Sequence, residues 1–338
     1  TPWSRPRHRA MRPVLLVFPI EMGLERLLEQ IILSTMNSLK GLHPRRSFLK
    51  LGLLGGLSLP ISQRASYGAE RLPAQEVCAF VKFLQNLSFE DLARTIRKMG
   101  FDGIEGTVRP GGLITPEKVD EDLPRLMEAL RRESLEMTIM ASGINRIDDP
   151  VAEHTLRLAT KWGVKRYRMN YFRYDMDKPM APQRASFKAM AKDLAAFNNE
   201  LGIQALYQNH AGARYLGATM WDLVNLLEGI PQEDISIGFD VRHAKVEAGL
   251  SWPVYWEIAR PHLGALYVKD FVWDQGKVIN VPLGQGWVGE AFFHEGRLKH
   301  FQGPITLHVE YLQQAGSEAN AQALNKDLAT LRQWVKSI

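Results

Sequence analysis

The chain has 338 residues, 45% hydrophobic and 23% charged, a globular composition with enough length for one large domain or two small ones. Its single cysteine, Cys78, excludes an intrachain disulfide framework and a cysteine-based zinc site. The net charge of +5 is carried before Glu70, where ten Lys/Arg face three Asp/Glu; the other 32 basic and 34 acidic residues give the body no electrostatic signature of nucleic-acid binding.

Residues 1–69 read as a leader. Arg45 and Arg46 open the stretch RRSFLK, and a short, weakly apolar run with three glycines, LGLLGGLSLPI, follows. Basic residues, a short apolar segment and then small residues make a secretory signal, and paired arginines direct it to the twin-arginine export machinery. The run is too short for a permanent membrane anchor. Cleavage is expected between Ala65 and Glu70, giving a periplasmic or secreted location. Met36 opens a signal of ordinary length, so residues 36–69 form the signal and residues 1–35 an over-extended start. Within that start, Leu24 to Leu33 has the pattern of a short amphipathic helix.

From residue 77 onward, short apolar runs alternate with helical patterns. Val77 to Leu84 is the first predicted strand, and Cys78 within it reads as a small core residue. Ser88 with Asp91 makes a capping box for a helix that Gly100 stops. Phe101 to Gly106 is the second strand, and Thr115-Pro116 opens the next helix. Leu135 to Ala141 is the third strand; Asp149-Pro150 starts a helix that closes at Gly163. Val164 to Asn170 is the fourth strand, followed by a long helix from Pro182 to Leu201, ended by Gly202. Ile203 to Gln208 is the fifth strand, with a helix capped by Thr219 and Asp222 and ending at Gly229. Ile235 to Phe239 is the sixth, Ser251 to Arg260 is helical, and Leu263 to Lys269 is the seventh. Gly289 to Phe301 reads as mostly helical, Ile305 to Glu310 as the eighth strand and Gly316 to Lys336 as the closing helix.

Eight strand-then-helix units match an α/β fold, a single (β/α)8 TIM barrel over residues 70–338 preceded by the signal segment. A doubly wound sheet is the competitor, but it usually has fewer units, and no glycine-rich phosphate loop follows any strand. In such a barrel the strand ends converge on one mouth: Lys82, Glu105, Arg168, Gln208 with His210, Asp240 with His243, Lys269 with Asp270, and His308 with Glu310. Residues two apart share a face. Carboxylates, imidazoles and an amide oxygen suit a divalent ion such as Mn, Mg or Zn. Taken singly, each of these groups is equally open to a structural reading; Asp240, for example, could simply cap the next helix.

FDGIEG (101–106), YQNH (207–210), GFDVRHA (238–244), YVKD (267–270), VPLGQGWV (281–288) and LHVEY (307–311) together resemble the xylose-isomerase-like TIM barrels of the sugar phosphate isomerase/epimerase type, a family that includes endonuclease IV. The resemblance covers roughly residues 77–338. A subgroup with twin-arginine leaders is especially similar, through TVRPGG (107–112), QNHAG (208–212) and GPITLHVEY (303–311). The resemblance implies one divalent ion held by Glu, Asp, His and Glu on strands five to eight. Asp240 and Glu310 match that pattern; Gln208 stands where the first Glu would be and Tyr267 where the His would be. In the epimerase mechanism the two glutamates move a proton next to a carbonyl that the metal polarises.

With Gln208 one proton carrier is missing. The expected metal ligands are Asp240, Glu310 and Gln208, with His210 or His308 as recruits. The expected catalytic residues are Glu310, Lys269, Glu105 and His243. Lys269, Lys82 or Glu105 would supply the missing acid/base group, a lysine desolvated in a barrel mouth having a depressed pKa. Substrate contacts are expected from His210, Lys82, Arg109, Arg168 and Trp287. The two arginines either clamp an anionic group or pair with Glu105 and Asp240, and Trp287 either stacks on a sugar face or packs a loop. The partner implied is a small-molecule carbohydrate. A non-catalytic periplasmic sugar-binding barrel with a decayed metal site is the alternative. Nuclease chemistry is disfavoured by the near-neutral body and by missing zinc ligands. The oligomeric state is not legible.

Overall fold

The computed structural model describes residues 75–294, 297–298, 300–312 and 315–336. The leader, with Arg45, Arg46 and the Leu24 to Leu33 pattern, lies outside the described residues. Eight parallel strands close into a barrel in the order β1-β10-β7-β6-β5-β4-β3-β2. They are β1 (Val77–Phe80), β2 (Gly103–Val108), β3 (Glu136–Ser142), β4 (Arg166–Arg168), β5 (Gln204–Gln208), β6 (Ile235–Asp240), β7 (Leu263–Val268) and β10 (Ile305–Leu307). An antiparallel hairpin, β8 (Asp270–Asp274) with β9 (Lys277–Val281), follows β7. The helices are α1 (Phe89–Met99), α2 (Val119–Arg132), α3 (Pro150–Lys161), α4 (Met180–Leu201), α5 (Met220–Leu227), α6 (Val241–Ala248), α7 (Trp252–Ala259) and α8 (Ser317–Val335). Among the described residues no helix is long and apolar enough to cross a membrane.

Local chemistry sets these boundaries. The Ser88 hydroxyl accepts the Asp91 N–H at 3.1 Å, and Gly100, at φ 89°, takes the left-handed turn that ends α1. Asp149 accepts the Val151 N–H at 3.0 Å, with Pro150 leading α3. Thr219 and Asp222, by contrast, do not form the expected side-chain cap of α5; Asp222 accepts the Tyr174 hydroxyl at 2.5 Å instead. β6 is buried at every position, as a strand of a parallel sheet covered on both faces must be.

Cys78, Ile139, Leu206, Ala265 and Tyr267 form a cluster of their own, and they plug the barrel interior beneath the mouth. Burial pushes the Cys78 thiol well up, in keeping with a core residue. Gly238 on β6 is where the Tyr267 ring comes closest, since a Cβ there would stand 2.5 Å from Tyr267 Cε2.

Two expectations are corrected. The first strand stops at Phe80, and Lys82–Leu84 is a 3-10 turn, so Lys82 lies on the rim beyond the strand. The expected helix over 289–301 is, among the described residues, only the 3-10 turn Glu290–Phe292. Glycines at 289 and 296 bracket too short a run for a helix, and Phe292 and Phe293 are buried against Trp256 and Trp334 instead. The β8–β9 hairpin was not anticipated. It turns at Gln275 and Gly276, both at positive φ (47° and 77°), the backbone a two-residue hairpin requires.

Candidate functional site

Period-two alternation sends Glu105, Arg168, Gln208 and Asp240 inward at the upper ends of β2, β4, β5 and β6, with Lys269 one residue past β7 and His308 and Glu310 just past β10. Seven side chains from six strands close a circuit around the mouth. The Arg168 guanidinium donates to Glu105 Oε1 at 2.7 Å and to Gln208 Oε1 at 2.9 Å. Gln208 Nε2 donates to Asp240 Oδ2 at 2.8 Å. Lys269 Nζ lies 3.3 Å from Asp240 Oδ2 and 3.4 Å from Glu310 Oε2. His308 completes the circuit, Nδ1 at 3.3 Å from Glu310 Oε1 and Nε2 at 2.7 Å from Glu105 Oε2.

Asp240 has both readings that the sequence left open. Its Oδ1 accepts the His243 N–H at 2.9 Å and caps α6, while Oδ2 faces Gln208 and Lys269. Asn209 holds it from below, exchanging hydrogen bonds with the Asp240 backbone at 2.7 and 3.1 Å. Asn209, although inside the QNH motif, had no role legible in the sequence, nor had Thr306, whose hydroxyl donates to Glu105 Oε2 at 2.8 Å. The Tyr171 hydroxyl donates to Gln208 Oε1 at 2.6 Å. An apolar run that ends in consecutive amides and an imidazole, Gln208-Asn209-His210, is the signal that would have found Asn209.

Charge in this circuit is compensated locally. Burial alone would raise the Glu105 carboxyl, but Arg168 and His308 overcome it and hold the group at about 2. Fully buried, with three polar partners in Arg168, Thr306 and His308, Glu105 is placed to position Arg168 and His308. Glu310 is likewise held well below the carboxylate range, burial being outweighed by Lys269 and His308, but its side chain keeps 25% exposure. For Lys269, burial would lower the pKa; Asp240 and Glu310 prevail and raise it. The expected depressed lysine is therefore corrected, because two carboxylates flank the ammonium. The imidazoles go the other way. Burial, with Lys269 next, pushes His210 down to about 4 and His243 well below its ordinary value, so both are neutral near pH 7.

The remaining expected contacts line the rim. Arg109 is half-buried and near enough for Arg168, Glu105 and Glu310 to act on its charge. Lys82 is exposed, its ammonium 5.1 Å from the Phe83 ring centre and within electrostatic reach of Glu310. Trp287, 62% exposed, rides on a loop built by Asp270, whose carboxylate accepts the N–H groups of Phe271, Gly284, Gly286 and Val288 at 2.8–3.0 Å. His210 and His243 pack together with ring centres 4.0 Å apart and their planes tilted by 34°. Arg168 Nη2, Tyr267 Oη and His243 Nε2 are buried without a hydrogen-bond partner among the described residues. An oxygen-rich ligand would satisfy such atoms.

These residues do not fit a divalent ion. Lys269 sits between the two carboxylates expected to bind it, and Gln208 turns its N–H, not its oxygen, toward Asp240. Tyr267 stands where an imidazole was expected, and burial pushes its phenol well up, away from the anionic form that binds metal. Among the described residues no group of three or more His, Cys, Asp or Glu is placed to hold a metal.

Comparison with known proteins agrees with the architecture. The xylose isomerase-like TIM barrel family model matches residues 93–334. Among solved structures, 3-keto-D-glucoside 4-epimerase from E. coli is 17% identical, with a TM-score of 0.60 over 77% of this chain and 99% of that one. D-psicose 3-epimerase from Clostridium cellulolyticum, solved with D-tagatose, is 13% identical, also at 0.60, over 77% and 99%. D-allulose 3-epimerase from Methylomonas sp. is 17% identical at 0.58, over 78% and 99%. At these identities the likeness is one of fold. No curated protein sequence matches the chain.

Proposed function

The chain belongs to the xylose isomerase-like TIM barrel family, and on that premise we propose that it is an exported sugar isomerase or epimerase, moving a proton at the carbon next to the carbonyl of a sugar or keto-sugar. The observation that carries the reading is Glu310: a carboxylate at the mouth, partly open to solvent and fixed by His308 and Lys269. Glu310 takes the proton, and the electron pair of the C–H bond moves to the carbonyl oxygen. His210 is the second carrier. Its Nδ1 faces the Ala211 carbonyl at 2.8 Å, which assigns the ring hydrogen there and leaves Nε2 as an acceptor. A carboxylate and a neutral imidazole thus replace the pair of glutamates. Arg168, His243 and Trp287 hold and orient the sugar, and Arg109 and Lys82 favour a substrate with an anionic group.

Exchange in D2O tests this directly. The protein is incubated with a panel of ketoses and 3-keto-glycosides, and deuterium entering next to the carbonyl is followed by NMR. The wild type should exchange at least one substrate, and Glu310→Gln should lose roughly a hundredfold or more of the rate. Absence of exchange across the panel refutes the reading; tight binding without exchange would select a non-catalytic carbohydrate-binding barrel. Export rests on the RRSFLK leader, and replacing Arg45 and Arg46 by lysines should retain the protein in the cytoplasm.

A further inference from the structure

We infer that Lys269 is the resident cation of this site: its ammonium, seated between Asp240 and Glu310, does for a sugar carbonyl what a divalent ion would do, and proton transfer here needs no metal. The inference rests on the proposed proton transfer for its chemistry but on geometry for its claim. Lys269 Nζ stands 3.3 and 3.4 Å from the two carboxylates, with 6% of the side chain exposed. A dication bound to the same oxygens at about 2.0–2.6 Å would share them with a buried ammonium, so the two cations exclude each other.

Gln208 makes the exchange of metal for lysine complete. A glutamate there would add a fourth carboxylate to the circuit, at hydrogen-bond distance from Asp240, which only a strong local charge would compensate. The neutral amide instead donates to Asp240 and accepts from Arg168 and Tyr171. The circuit then holds Glu105, Asp240 and Glu310 against Arg168 and Lys269, with Arg242 and Arg109 near enough to act on it. There is no negative charge left over for a dication to neutralise.

An ammonium has three donors, and the two carboxylates take two. The third faces the reacting sugar. As Glu310 takes the proton, the C–H pair forms the enolate, and its oxygen accepts that N–H, in a site dry enough for the charge to count. No oxidant, reductant or metal enters the balance: the proton that Glu310 took returns to carbon from Glu310, and the C–H bond re-forms from the enolate pair.

The test reads metal as well as activity. The full body of the chain is stripped with EDTA, and Mn²⁺ binding is titrated by calorimetry for the wild type, Lys269→Arg, Lys269→Met and the triple variant Gln208→Glu/Tyr267→His/Lys269→Met, with circular dichroism confirming that each is folded. The wild type should bind Mn²⁺ no tighter than about 1 mM and keep its exchange rate in EDTA. Lys269→Arg should retain part of that rate, and Lys269→Met should lose roughly a hundredfold of it. Should the triple variant fold, it should gain Mn²⁺ affinity of at least tenfold. Mn²⁺ binding by the stripped wild type tighter than about 1 mM, or loss of exchange in EDTA, overturns the inference. If no substrate exchanges at all, only the proposed function fails, because the calorimetric arm reads the cation seat without substrate.

Discussion

Replacing Asp270 by asparagine should release the loop that carries Trp287. The carboxylate Oδ1 accepts the Phe271 and Val288 N–H groups at 2.8 and 2.9 Å, and Oδ2 those of Gly284 and Gly286 at 3.0 Å each. Asparagine keeps one oxygen and presents an NH2 to the other pair, so two hydrogen bonds to a charged acceptor are lost and donor faces donor. Bonds of that kind contribute roughly 1.5–3 kcal/mol each, so the local penalty is about 3–6 kcal/mol. The loop can relieve it by detaching locally, held then by β9, by the Trp287 N–H on the Phe271 carbonyl at 2.9 Å and by Lys245, which donates to the Trp287 and Val288 carbonyls at 2.9 and 2.7 Å. Global stability should therefore fall by less than the local figure. Hydrogen exchange at Gly284, Gly286 and Val288 should quicken by roughly a hundredfold or more, at about 1.4 kcal/mol per tenfold. Measured by exchange mass spectrometry, unchanged protection of those three amides in the folded variant would refute the reasoning.

Gly238→Ala should destabilise the barrel by about 1–3 kcal/mol, because the new methyl meets the Tyr267 ring at 2.5 Å; urea denaturation indistinguishable from wild type would contradict this. Glu105, held at about 2 against an ordinary 4.5, contributes stability that is complete above pH 4.5 and is lost as pH falls toward 2. Glu105→Gln should therefore narrow the gap to wild type by roughly 3 kcal/mol across that window, and parallel stability curves would count against the assignment. His210 is depressed from 6.5 to about 4, so the unfolded chain binds the extra proton between those values and stability falls as pH falls through them. His210→Gln should flatten this limb in thermal melts at pH 4–7. Cys78, buried with its thiol pushed up, should resist an aromatic disulfide reagent until the chain unfolds; stoichiometric labelling of the native protein would show the core reading to be wrong.

The eight-fold alternation was legible because each strand and each helix writes its own period and its own stop signals locally: Ser88 and Gly100 bracket one helix, Asp149 and Gly163 another. So was the list of polar strand ends, since parity along a strand alone decides which of Gln208, Lys269 or Glu310 share a face. Residues 289–301 misled because buried aromatics imitate a helical stripe, and the hairpin was missed because its strands pack beside the barrel instead of joining it. What only closure of the barrel decided is who meets whom. Lys269 lies far from Asp240 and Glu310 in the chain, and no local pattern says that its ammonium falls between their carboxylates or that Gln208 turns its N–H to Asp240. Those pairings follow from strand order and stagger, and they convert an expected metal site into a circuit whose carboxylates are already met by a lysine and by arginines.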